Sequence, residues 1–230
     1  MSLPKVETPI FETTVPSTGE KVKFRPFLVK EEKILMLASE SEEFKDMITA
    51  CGQIIENCTF DKLDATKLAM FDMQDLFIRI REASIGSTQE FNLICGECKK
   101  STKYEMELKD LTVKGLDSLP DNEVKVGEEF IIKMRYPRAL DVVAEDKQSD
   151  IDTIANCIES IITEEEEVSI NDVTKEELQE FVENLPVESF GEMREYLRAI
   201  PILTHNIDFT CPHCGAEQII NINGYEHFFA

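Results

Sequence analysis

Two pairs of cysteines carry the strongest chemical signal in the chain: Cys95-Gly96-Glu97-Cys98 and Cys211-Pro212-His213-Cys214. A C-x-x-C turn lets two thiolates converge on one ion, and zinc takes four ligands in a tetrahedron, so two such knuckles complete a closed site. Each pair lies between stretches that alternate apolar and polar residues, and each has a glycine at or beside the turn, Gly96 and Gly215. The pattern predicts that Cys95, Cys98, Cys211 and Cys214 hold one Zn2+ ion. Four thiolates leave no position for water, so such an ion is structural rather than catalytic. The pairs stand 112 residues apart, far beyond a local zinc finger, and the site is expected to brace two halves of the chain.

Other chemistry is thin. Redox C-x-x-C motifs open a helix, which lowers the thiol pKa, and neither pair is followed by a helical stripe. Knuckles that keep the hairpin and hold no metal are the remaining alternative. His213 lies between two of the cysteines and is a possible substitute ligand, whereas His205 and His227 read as ordinary histidines. No phosphate-cradling glycine loop, H-E-x-x-H or G-x-S-x-G occurs, and the carboxylate run at Glu164 to Glu167 reads as a loop. No catalytic residue is expected, and nothing supports an enzyme.

The elements that would position the cysteines follow from periodicity. Ile10 to Val15, the turn Pro16-Ser17-Thr18-Gly19 and the alternation of Val22 with Phe24 predict a β-hairpin closed by Pro26. A helix starts near Val29. A second carries Phe44, Met47, Ile48, Cys51, Ile55 and Cys58 on one face, and a third, N-capped by Asp72, carries Met73, Leu76, Phe77, Ile80 and Ala83 and stops at Gly86. Phe91 and Leu93 before the first knuckle, with Tyr104, Met106 and Leu108 after it, predict a hairpin with the cysteines at its tip.

The second half repeats that order. Val124, Val126, a Gly127-Glu128 turn, then Phe130, Ile132, Met134 and Tyr136 predict a hairpin closed by Pro137. A helix opened by Ser149-Asp150-Ile151-Asp152 is expected to run through Ile151, Ile154, Ala155, Ile158, Ile161 and Ile162. Capping boxes at Thr174-Lys175-Glu176-Glu177 and Ser189-Phe190-Gly191-Glu192 announce two more helices, separated by Pro186. Ile207 and Phe209 lead into the second knuckle, and Ile220 and Ile222 lead out. The expected fold is α+β, in two pseudo-repeated halves: residues 1–118 and residues 119–230, each a hairpin, amphipathic helices and a C-x-x-C hairpin.

Composition bounds the partners. With 230 residues, 42% hydrophobic and 30% charged, the chain has a globular mixture. Its apolar runs fall short of the roughly 20 residues that span a bilayer, no signal-peptide core follows Met1, and the odd count of 7 cysteines suits a reducing compartment. A soluble, cytoplasmic protein with no membrane partner is expected. The net charge of −22 repels nucleic acid, which stands against the alternative reading of a zinc-ribbon nucleic-acid-binding accessory factor. Half of that charge lies between Glu159 and Glu195, where 13 acidic residues meet 2 basic ones. That segment is a solvated helical face or a dock for a basic partner.

The stretch Val15-Pro16-Ser17-Thr18-Gly19-Glu20-Lys21-Val22-Lys23-Phe24-Arg25-Pro26-Phe27-Leu28-Val29-Lys30-Glu31-Glu32-Lys33-Ile34-Leu35 resembles the opening of the T-even-type bacteriophage baseplate protein family. The length, the helical middle and the C-x-x-C hairpins are similar too. The resemblance implies a tail morphogenesis protein: a component of the baseplate hub, or an assembly chaperone that helps the hub form and then leaves. It implies partners among other phage tail or hub proteins, the tape-measure protein among them, and a place in the host cytoplasm during assembly or in the virion baseplate. The Lys21, Lys23, Arg25, Lys30 and Lys33 group would offer a basic pole opposite the acidic segment.

Overall fold

The computed structural model describes residues 7–41, 43–139, 141 and 149–224. The chain is α+β, with six α-helices and four small antiparallel sheets among the described residues. It forms two compact units. Unit 1 combines Met1–Lys114 with Ile202–Ala230, and unit 2 is Gly115–Pro201. The chain returns to unit 1 at Ile202, so both C-x-x-C hairpins belong to that unit.

Unit 1 opens with β1 (Phe11–Thr14) and β2 (Lys21–Phe24), paired Thr14 to Lys21 at the turn end. The turn closes through Val15 N–H to Glu20 O at 2.8 Å, with Gly19 at φ +71°, where an L side chain is strained. Alternation buries Val22 and Phe24. Helices α1 (Val29–Ser41), α2 (Phe44–Cys58) and α3 (Met70–Ile85) follow. α2 buries Ile48, Cys51, Ile54, Ile55 and Cys58 at three- and four-residue spacing, while Phe44, expected on that face, is exposed. Asp72 is not the N-cap of α3. It lies inside the first turn, buried, and accepts bonds from Ser17 N–H (2.8 Å) and Ser17 Oγ (2.5 Å). Those bonds pin the β1–β2 turn to the helix. Gly86 ends α3 at φ +117°, its N–H bonded to Glu82 O.

The remaining strands of unit 1 carry the cysteines. β3 (Thr88–Ile94) pairs with β4 (Ser101–Glu107). β5 (Thr112–Lys114) pairs with β10 (Ile202–Thr210), which pairs in turn with β11 (Glu217–Asn223). Arg79 of α3 ties these segments to the helices, donating to Leu108 O (3.5 Å) and Leu111 O (2.6 Å) while pairing with Asp75 at 3.1 Å.

Unit 2 contains one four-stranded sheet in the order β6 (Glu123–Val126), β7 (Phe130–Met134), β8 (Ile158–Thr163), β9 (Glu167–Ser169), with helices α4 (Asp150–Asn156), α5 (Lys175–Glu183) and α6 (Val187–Arg198). Val124, Ile132, Met134, Ile154, Ile158, Val182, Met193 and Tyr196 form its core. The long helix expected through Ile162 stops at Asn156. Ile158 to Ile162 is instead a strand, because β-branched residues fit a pleated surface and β7 supplies a partner, Ile132 opposite Ile161. The Ser149 and Thr174 capping boxes form as expected. The third does not: α6 starts after Pro186, and Ser189 is buried inside it.

Each unit contains the same corner. In unit 1, Arg25 N–H bonds Cys58 O (3.0 Å), Arg25 Nη1 bonds Pro26 O (3.0 Å), and Arg25 Nη2 bonds Glu31 Oε1 (3.0 Å), while Glu31 Oε2 accepts from Leu28 N–H (2.8 Å). In unit 2, Arg135 N–H bonds Cys157 O (2.7 Å), Nη1 bonds Tyr136 O (3.2 Å) and Nη2 bonds Asp141 Oδ1 (3.0 Å), while Asp141 Oδ2 accepts from Arg138 N–H (2.7 Å). A strand thus leads into an arginine, and the acid six residues on satisfies both the guanidinium and a backbone donor.

Candidate metal centre

Each knuckle is a short turn whose backbone closes on itself. Cys95 N–H bonds Lys100 O (3.0 Å) and Lys99 N–H bonds Cys95 O (3.0 Å); Cys211 N–H bonds Ala216 O (2.9 Å) and Gly215 N–H bonds Cys211 O (2.9 Å). The residue after the second cysteine is left-handed in both, Lys99 at φ +57° and Gly215 at φ +77°. Glycine takes that conformation freely at residue 215, while Lys99 is held in it by the same two backbone bonds. Antiparallel strands β3–β4 and β10–β11 present the two tips, and Gln218 of β11 accepts a bond from Gly96 N–H at 3.1 Å. A Cβ on Gly96 would stand 3.1 Å from that Gln218 oxygen, so the close approach suits glycine. Gln218 was not singled out from sequence. Its position beside the first knuckle follows only from strand pairing, and no local motif signals it.

The four sulfurs lie within 4.8 Å of one another. Cys95 to Cys214 and Cys98 to Cys211 are each 3.7 Å. A tetrahedron of sulfurs about 2.3 Å from zinc has edges of about 3.8 Å, so the donor set and spacing fit that ion. Cys95 and Cys211 are buried, Cys98 is half-buried and Cys214 is exposed. N–H groups of Cys98 and Glu97 aim at the Cys95 sulfur and, against the penalty of burial, hold its thiol down at about 6. For Cys214 the Ala216 N–H favours the thiolate, but burial and hydrogen bonds with Cys211, Cys98 and Cys95 push it up to about 12. Crowded sulfurs cannot all ionise together without a cation, and a divalent ion supplies that charge.

The other expected residues sort clearly. Cys51, Cys58 and Cys157 are buried away from the cluster, and burial raises all three thiols, Cys58 to about 11 and Cys157 to about 12. His213 is exposed and outside the cluster, His205 is half-buried on β10, and His227 lies outside the described residues. Arg25 does not belong to an exposed basic pole, being only 8% exposed and committed to Glu31. All 13 acidic residues from Glu159 to Glu195 face solvent. Among the described residues, no helix is long and apolar enough to cross a membrane.

The family described as T4 bacteriophage base plate protein matches residues 8–230. One relative is the baseplate hub assembly protein gp26 of Enterobacteria phage T4, 24% identical over 212 residues that cover 92% of this chain and 94% of that protein. No solved structure matches. The match runs through both units and both cysteine hairpins, and the chain belongs to the T4 bacteriophage base plate protein family.

Proposed function

We propose that this chain takes part in assembling the central hub of a phage tail baseplate, and that it acts through protein contacts rather than catalysis. The observation that carries the reading is the correspondence with a baseplate hub assembly protein along nearly the whole of both chains. Its partners are other baseplate or tail proteins, with the tape-measure protein as one candidate, met in the host cytoplasm or in the virion baseplate. The solvent-facing carboxylates of α5 and α6 support a role in steering basic partners.

In the same reading Cys95, Cys98, Cys211 and Cys214 hold a structural Zn2+. When bound, the ion neutralises the crowded thiolates and fixes β3–β4 to β10–β11 within unit 1. The sulfur distances support this. The repeated arginine corners support an internal duplication of hairpin and helix.

Co-expression of this chain with each hub and tail protein of its phage, followed by co-purification and metal analysis, tests both parts. A stable complex with a hub protein and one zinc per chain is expected. Binding to none of these proteins would remove the hub reading, and salt-sensitive binding to DNA in a gel shift would replace it with a nucleic-acid one. Metal-free protein with a normal unfolding profile would remove the zinc.

A further inference from the structure

Helix α1 buries only Glu31 and Ala38, while Val29, Met36 and Leu37 stand 80%, 60% and 57% exposed. A helix of a folded unit normally turns an apolar stripe inward, so an outward apolar face needs a reason. Beside it runs a groove of about 420 Å³, walled by Phe27, Leu35, Met36, Met47, Phe77 and Ile85. Two methionines in the wall give it a surface that adapts to what it contacts.

One charge sits in this apolar wall. Arg81 of α3 is half-buried and, among the described residues, has no hydrogen bond or ion pair. Arg79, two residues earlier on the same helix, is saturated by Asp75, Glu82, Leu108 O and Leu111 O. Glu32 and Glu40 line the groove without reaching Arg81. In a chain of net charge −22, a guanidinium half-removed from water with no counter-ion is a conspicuous exception.

We propose that the groove between α1, α2 and α3 is a docking site for an amphipathic helix of another baseplate protein, one that sets a carboxylate against Arg81. Three helices and the loop residue Phe27 wall the groove and no strand lines it, so an extended peptide would find no sheet edge to pair with there, whereas a helix satisfies its own backbone. The unpaired cation calls for an acidic residue within the occupant's apolar face, and Glu32 and Glu40 call for basic residues at its margins. A second copy is the poorer occupant, since two chains of −22 repel one another. This inference rests on the hub-assembly reading for the identity of the partner and is independent of the metal site.

The test uses the full chain co-expressed with the hub proteins of its phage. A photo-crosslinking amino acid in place of Met36 should link to one apolar, acid-bearing helical segment of a hub protein. Met36→Glu should abolish that complex, and Arg81→Gln should weaken it about tenfold, the usual scale for losing a charged hydrogen bond. Neutralising the partner's carboxylate should then have no further effect in the Arg81→Gln background. Circular dichroism confirms folding of each variant. A complex indifferent to both substitutions overturns the groove while leaving the hub reading intact. Crosslinks to a second copy, with a dimer in sedimentation that Met36→Glu dissolves, overturn it in favour of self-association. A wild-type chain that binds no hub protein overturns both.

Discussion

Removing the carboxylate of Glu31 tests how the first corner holds unit 1 together. Glu31 is 0% exposed and Arg25 8% exposed, and their contacts are 3.0 and 3.3 Å, with Leu28 N–H and exposed Lys30 as further donors. Glu31→Ala leaves a buried guanidinium without its anion, a change that typically destabilises by about 3–5 kcal/mol. For a unit of this size the loss lowers the thermal midpoint by about 10–20 °C. The equivalent Asp141→Ala should lose less, about 1–3 kcal/mol, because Arg135 and Asp141 are 15% and 18% exposed and water can compensate. Calorimetry or urea unfolding followed by circular dichroism reads both. The double variant Arg25→Met/Glu31→Leu should regain most of the loss, since apolar replacement of a buried pair is close to neutral. Burial opposes ionisation of Glu31, but the hydrogen bonds from Arg25 and Leu28 and the Arg25 charge outweigh it and hold its pKa below the ordinary value. Its stabilisation is therefore present above the unfolded-state pKa, ~4.3, and is lost as pH falls through the folded-state value. A loss under ~1 kcal/mol for Glu31→Ala, or a double variant no better than the single one, would refute the reasoning.

Three further outcomes are expected. Cys98→Ser or Cys214→Ser should lose the metal and lower the unfolding transition of unit 1 while that of unit 2 stays put, and a chelator should do the same to wild type; two unshifted transitions would count against the site. Burial raises the pKa of Asp72 despite its bonds from Ser17, so its ionisation lowers stability as pH rises from the unfolded-state value through the folded-state one. Asp72→Asn should flatten that dependence in denaturation curves across acidic pH, whereas Asp72→Ala should lose about 1–3 kcal/mol with the two Ser17 bonds. Thr174→Ala should destabilise unit 2 by about 0.5–2 kcal/mol by removing the capping bond to Glu177 N–H, measurable in urea.

Local chemistry was legible and long-range pairing was not. The stripe of α2, the boxes at Ser149 and Thr174, the stop at Gly86 and the two cysteine hairpins all rest on residues within a few positions of each other. Ile158, Ile161 and Ile162 satisfy a helical stripe and a buried strand equally, and only β7 alongside settles the matter. Arg25 looked like one of a row of surface cations because its partner is defined by how the chain turns at Pro26. The recurrence of an acid six residues after Arg25 and Arg135 was the available signal. The proximity of all four sulfurs could be expected from their types, but not their placement in a single unit. That depends on β10 returning to β5 after the whole of unit 2.

The return at β5 and β10 has a further consequence. Lys114 and Ile202, the last residue of unit 1 before unit 2 and the first after it, sit opposite each other in the antiparallel ladder. Unit 2 is therefore spliced into what would otherwise be the turn of an ordinary hairpin, and its length barely taxes the closure of that hairpin, because loop entropy grows only by roughly 0.6 kcal/mol per doubling. Such a junction is modular. A turn of a few residues in place of Gly115–Pro201 would leave the strand register and all four cysteines in a continuous short chain.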